Sequence, residues 1–220
     1  MKKTHQRFLS AAALLVAFVL WTAGITCVDV RPIGPLGSSV GFAALNGAFH
    51  HLTGVHLSLY TLTDWLGLIP VAICMNFALL GLVQWIRRRS LLQVDRSLLV
   101  LGGFYLLVIA SYLFFEAFVV NWRPVLIDGR PEASYPSSTT LLTLCVISTA
   151  CMQLHVRIRH AVLRRWCTGG LAAFGAFMVF ARLLSGVHWL TDIIGSGLLS
   201  AALVMLYCAV CHALTPTQPE

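Results

Sequence analysis

The sequence predicts an all-α polytopic membrane protein. Six transmembrane helices form a single membrane domain over residues 1–220, with a polar site at the extracytoplasmic face. Three observations carry this expectation. The chain is 58% hydrophobic and only 10% charged, too apolar to clothe a soluble domain of this length. Its apolar residues gather in runs close to the ~20 residues that cross a bilayer. Its basic residues fall in alternate connections between those runs. No Gly/Ser linker, low-complexity tract or internal repeat divides the chain.

The first span, Phe8–Val28, follows the basic start MKKTHQR. That start is also how a signal peptide begins, but the apolar run is long for one and no small-x-small cleavage site follows, so a retained helix is expected. The second span, Leu66–Ile86, runs into Arg87, Arg88 and Arg89. The third, Leu98–Val120, follows Arg96, and the fourth is Ser138–Leu154. Arg157, Arg159, Arg164 and Arg165 separate it from the fifth, Thr168–Leu184, and Trp189–Leu214 is the sixth. Six spans place these basic connections on one side together with Lys2, Lys3 and Arg7, eleven of the fifteen Lys and Arg. The positive-inside rule makes that side, with both termini, cytoplasmic. The net charge of +7 is then a topology signal, and no nucleic-acid partner is needed to explain it. Trp65, Trp85, Trp122, Trp166 and Trp189 fall at span ends, as an interfacial aromatic belt requires. The expected location is a cell membrane, multi-pass. Oligomeric state leaves no mark in the sequence.

The segment Asp29–Asp64 is expected to be an outer loop, partly helical and lying on the membrane. It holds His50, His51 and His56, but no carboxylate stands among them in a pattern such as His-Glu-x-x-His, so no metal is expected. Seven cysteines, among them Cys74, Cys145 and Cys151 inside apolar spans, read as small hydrophobes and not as a disulfide framework. The string CAVCH, Cys208 to His212, matches a haem-attachment spelling. It lies at the cytoplasmic end of the last span and reads as coincidence, so no cofactor is expected.

Chemistry-bearing residues gather instead at the opposite end. Trp122-Arg123-Pro124 closes the third span, Tyr135-Pro136-Ser137-Ser138-Thr139 opens the fourth, Arg182 closes the fifth, and His188 and Asp192 open the sixth. Ionisable groups within a membrane are costly and tend to serve function. His188 and Asp192 are four residues apart, a spacing that puts two side chains on one helix face. A carboxylate there holds the proton of one imidazole nitrogen and leaves the other as base, nucleophile or ligand. Arg123 and Arg182 supply guanidinium forks suited to phosphate oxygens. The first amides of a helix starting near Ser137 add anion-binding donors. The set describes a phosphoryl site with a nucleophile. The alternative is a pair of buried ion pairs pinning helices, Asp192 with Arg182 and Glu116 with Arg123.

At these residues the chain resembles the type 2 phosphatidic acid phosphatase superfamily, which includes undecaprenyl-pyrophosphate phosphatases and vanadium haloperoxidases. That family carries Lys-x6-Arg-Pro, Pro-Ser-Gly-His and Ser-Arg-x5-His-x3-Asp. The third block survives as Arg182, His188 and Asp192 with Ala181 in place of its Ser, the first as Arg123-Pro124, and the second as Pro136-Ser137. Glu116 stands at the family's Lys position, and Ser138-Thr139 stand where it has Gly-His. The resemblance implies that His188 is a nucleophile oriented by Asp192, that Arg123, Arg182, Ser137, Ser138 and Thr139 bind phosphate, and that no metal or cofactor is needed. The family's proton donor is missing. A threonine hydroxyl is a poor general acid, and Glu116 is the candidate substitute, as a carboxyl kept protonated. The expected function is a lipid phosphatase acting on a membrane lipid phosphate or isoprenoid pyrophosphate within the lipid bilayer. The alternatives are a non-catalytic lipid head-group binder and a small transporter. Against the transporter, the polar residues cluster at one face and line no path across.

Overall fold

A computed structural model describes residues 2–214; Met1 and residues 215–220 of the domain expected over 1–220 lie outside the described residues. The fold is eight α-helices: α1 (Lys2–Cys27), α2 (Ala43–Thr53), α3 (Leu57–Leu66), α4 (Leu68–Arg88), α5 (Arg96–Ala117), α6 (Ser138–Arg157), α7 (Ala161–Leu184) and α8 (Leu190–Leu214). Six stretches are long and apolar enough to cross a membrane: α1, α3 with α4, α5, α6, α7 and α8. Among the described residues there are no strands beyond isolated bridges such as Trp122 with Ala133.

The second span differs most from the sequence reading, and the fifth begins at Ala161, seven residues before Thr168, so that Arg164 and Arg165 lie within α7. The second membrane stretch runs from Leu57 to Arg88, so its start moves nine residues upstream of Leu66 and the outer loop shortens accordingly. Asp64, with Thr61 and Thr63, made this region look like loop. Gly67 nevertheless keeps right-handed helical angles (φ −59°, ψ −18°) and joins α3 to α4 without a reversal. Asp64 is tolerated because a cation meets it, as described below.

The bundle is built around α6 and α8. In the most apolar window of each, 50% of the residues are buried, against 6% for the α3–α4 stretch, which turns its side chains outward. α8 packs along α1, α6 and α5. Phe18, Leu101, Phe104, Leu141, Cys145, Leu203 and Tyr207 form the apolar core between them. Several buried hydroxyls and amides on α6 find partners, though Thr143 Oγ1 has none. Thr149 donates to Cys145 O at 2.8 Å, and the Gln153 amide donates to the Tyr207 hydroxyl at 2.6 Å.

Alternating helix directions put two different chemistries at the two ends. At one end Asp95 ties three helices together, taking Arg157 at 3.2 Å and Arg88 at 3.4 Å. The Gln84 amide first, then Arg157 and Arg88, hold its carboxyl below the usual carboxylate range against partial desolvation. At the other end lie the segments 28–56, 118–137 and 185–189. Asn46, fully buried on α2, donates to Gly41 O and Thr191 Oγ1 (2.8 and 3.0 Å) and accepts from Thr191 N at 3.2 Å. It clamps α2 onto the start of α8. Tyr135 closes the space behind the 118–137 segment. Its hydroxyl meets Thr22 Oγ1 at 2.7 Å, and its ring lies so close to α8 that a Cβ on Gly195 would fall 2.4 Å from it.

Candidate active site

The site is assembled where α7 turns into α8. The chain reverses through Ser185–Trp189, with Gly186 at φ +70°. A side chain at Gly186 would be strained and would also meet Gly54 O at 2.1 Å. His56 N donates to Ser185 O at 2.9 Å, and His50 Nε2 lies 3.1 Å from Gly186 O, so the outer loop holds this turn in place. His50 and His56, weighed in the sequence as metal ligands, are engaged here and with Thr53 O. Among the described residues no cluster of three or more His, Cys, Asp or Glu is placed to hold a metal ion.

His188 precedes the first residue of α8 and Asp192 lies in its first turn. The Asp192 carboxylate accepts from Trp189 N at 2.8 Å, the reciprocal capping contact that an acid at this helix position makes. The i, i+4 spacing suggested direct His–Asp contact. The structure instead leaves Nδ1 and Oδ2 3.8 Å apart, too far for a hydrogen bond. Ser134 sits between them. Its Oγ donates to Asp192 Oδ2 at 2.5 Å and lies 3.1 Å from His188 Nδ1. Ser134 O is also 3.1 Å from that nitrogen. A carbonyl can only accept, so these partners assign the proton of neutral His188 to Nδ1 and leave the lone pair on Nε2. Nε2 is buried and has no hydrogen-bond partner.

His188 is itself buried, and burial is the main reason its pKa is pushed down to about 4. Asp192 pulls it back up, while Arg182 and Arg123 push it further down. The imidazole is therefore neutral across the physiological range. An unfolded histidine titrates near 6.5, so it binds a proton below that pH while the folded one does not. This group's contribution to stability is complete above pH 6.5 and is lost as pH falls toward 4.

The two arginines flank one aromatic ring. The Arg182 and Arg123 guanidinium carbons lie 4.8 and 5.7 Å from the Tyr60 ring centroid. Arg182 donates to Thr63 Oγ1 at 3.2 Å and stands 3.6 Å from Asp64, leaving Nε without a hydrogen-bond partner. Arg123 stands 3.2 Å from Glu132, with Nη1 unpartnered. The ion pairs weighed in the sequence, Asp192 with Arg182 and Glu116 with Arg123, are replaced by Asp64 and Glu132. The acids in question were hidden in α3 and in the hairpin before Ser134.

A cavity of about 320 Å³ is lined by Glu116, Arg123, Glu132, Ser134, Ser138 and His188, with Tyr112 and Phe115 on its wall. A second, mainly apolar groove of about 340 Å³ runs between α4, α5 and α6 past Leu68, Val108, Ile109 and Leu142. Tyr112, Ser138 and Leu141 line both, so the polar chamber and the apolar groove lie side by side. The residues of the Pro136–Thr139 block part company here. Ser138 lines both the polar cavity and the apolar groove, whereas Thr139 lines the groove alone. Ser137, the N-cap of α6, turns its hydroxyl to Thr140 at 3.1 Å, and no side chain caps the first amides of α6.

Sequence reasoning missed Ser134, Tyr60 and Glu132. Ser134 directly precedes Tyr135-Pro136, and Tyr60, Thr63 and Asp64 share one face of a helix. Those were the available signals.

No protein-family model matches the chain, and no curated protein does. A solved structure is similar: the "first transmembrane PAP2 type phosphatidylglycerolphosphate phosphatase from Bacillus subtilis", at 16% identity and a TM-score of 0.58, with 95% of this chain and 99% of that chain covered. Along nearly its whole length, this chain adopts the membrane fold of a PAP2-type phosphatase.

Proposed function

We propose that the protein is a membrane lipid phosphatase of the PAP2 type that hydrolyses a lipid phosphate or pyrophosphate through a phosphohistidine at His188. The observation that carries this reading is a set of buried nitrogens without partners: Arg123 Nη1, Arg182 Nε and His188 Nε2. Buried polar atoms are normally satisfied, and two guanidinium donors beside the lone pair of one neutral imidazole are suited to a phosphoryl group. The apolar groove beside the cavity suits a lipid tail, with the head group held in the chamber.

In this mechanism Arg123, Arg182 and the first amides of α6 hold the phosphoryl oxygens, and Ser138 adds a hydroxyl. The Nε2 lone pair attacks phosphorus. The bond to the leaving oxygen breaks as the N–P bond forms, and water then cleaves the phosphohistidine. Ser134 and Asp192 keep the Nδ1 proton in place and stabilise the positive charge that develops on the ring.

The test is phosphate release by the purified protein from phosphatidic acid, phosphatidylglycerophosphate and undecaprenyl pyrophosphate. Release from at least one supports the reading. Binding of all three without release makes the protein a head-group binder.

Ser134→Ala removes the side chain that bridges His188 and Asp192, while the backbone contact to Nδ1 remains. A hydrogen bond to a charged group contributes about 1.5–3 kcal/mol, which corresponds to a kcat lower by roughly 10–100-fold, with KM little changed. An unaltered kcat would remove Ser134 from the mechanism. The acid limb of the native profile is expected near pH 4 and not near 6.5, because the nucleophile titrates at about 4.

The site end is extracytoplasmic in this reading, from the bias of Lys and Arg toward the other end. In a cysteine-free background, Arg159→Cys should resist an impermeant thiol reagent on intact cells and Gly129→Cys should react. The reverse pattern would invert the topology.

A further inference from the structure

Resting on the phosphate site proposed above, we propose that its head-group chamber takes phosphate esters carrying an ammonium group a few bonds from the phosphate. The chamber is not uniformly cationic. Glu116 and Glu132 line it beside Arg123 and His188. Glu132 is 3.2 Å from Arg123, whereas no hydrogen bond or ion pair reaches Glu116 among the described residues. Glu116 also sits in the last turn of α5, which ends at Ala117, where the helix presents its negative pole. A carboxylate at that pole is repelled by its own helix, and Glu116 is exposed there without a bonded partner. Among the described residues no cation is paired with it: Arg123, in the same lining, is paired with Glu132.

A ligand cation would offset that carboxylate's charge. Tyr112, one turn earlier on the same helix, and Phe115 line the same chamber, and aromatic faces attract ammonium groups. Into that chamber His188, with a side chain only 1% exposed, brings an Nε2 that has no partner, and Arg123 brings an unpartnered Nη1. One chamber of about 320 Å³ thus holds an anion-seeking guanidinium, the Nε2 lone pair that meets phosphorus in the proposed reaction, and a cation-seeking carboxylate with an aromatic wall. A ligand with phosphate and ammonium a few bonds apart satisfies both. A purely anionic head group leaves Glu116 facing negative charge.

The test compares two nearly isosteric soluble esters, 2-aminoethyl phosphate and propyl phosphate, which differ in NH3+ against CH3. Inorganic phosphate is the reference. Binding is measured by calorimetry on the full chain in detergent. We expect 2-aminoethyl phosphate to bind roughly tenfold more tightly than propyl phosphate, the scale of a desolvated cation–π and ion contact. Glu116→Gln should erase most of that difference. Equal affinities for the two esters, or a preference that survives Glu116→Gln, would overturn the inference while binding of inorganic phosphate leaves the phosphate site standing. Failure of all three ligands to bind would overturn the phosphate site itself, and this inference with it.

Discussion

His188→Ala should remove turnover, by at least ~10³-fold in kcat, while leaving the bundle folded. Loss of a nucleophile that acts as part of a unit costs this much or more. The fold should survive because the helix start does not depend on the ring. Asp192 still caps Trp189 N and still accepts from Ser134, and Asn46 still clamps Thr191. Asp192→Asn should cost less, since the amide oxygen can keep the cap and the attacking nitrogen remains, though the charge behind Ser134 is gone. Phosphate release and helical content measured on the same preparations decide the matter. Full activity in His188→Ala would end the phosphohistidine account.

The second large effect is on the choice of leaving group. By the resemblance to the PAP2 family, Thr139 stands where that family has its proton-donating histidine, and it lines the apolar groove and not the polar cavity. A general acid contributes ~10²–10⁴-fold. Pyrophosphates and aryl phosphates, which release weakly basic oxygens, should therefore exceed an alkyl monoester in kcat/KM by a similar factor. Thr139→His should raise monoester turnover by reaching across the edge that Ser138 shares between groove and cavity, and adding Glu116→Lys should raise it further. Brisk monoester hydrolysis by the native protein would point to a carboxyl of the cavity, Glu116 or Glu132, as the acid. A loss shared by every substrate in Glu116→Gln or Glu132→Gln would then identify it.

Much of this fold was legible because hydrophobicity and charge act locally. Apolar runs mark the spans, and Arg87–Arg89 and Arg157–Arg165 mark one end of the bundle. Arg123, Arg182, His188 and Asp192 were legible because acids and bases are conspicuous against hydrocarbon. What was not legible depends on tertiary contact. Ser134 bridges His188 and Asp192 from 54 and 58 residues away, and a serine carries no sequence signal of that task. Asp64 read as a loop residue because an acid inside a membrane helix is costly. Its partner, Arg182, is 118 residues further along the chain. The i, i+4 rule placed His188 and Asp192 on one face, but it assumes that both are helical, and His188 lies before the helix begins.

The central claim is that His188 Nε2 forms a bond to phosphorus. The direct measurement is a single-turnover reaction with substrate labelled in its transferable phosphoryl group, quenched in alkali and digested, with the label located by mass spectrometry. The account predicts an acid-labile, alkali-stable phosphoryl group on the peptide containing His188, formed and lost at rates that fit turnover and absent in His188→Ala. Product release at the native rate with no label on His188 would contradict it.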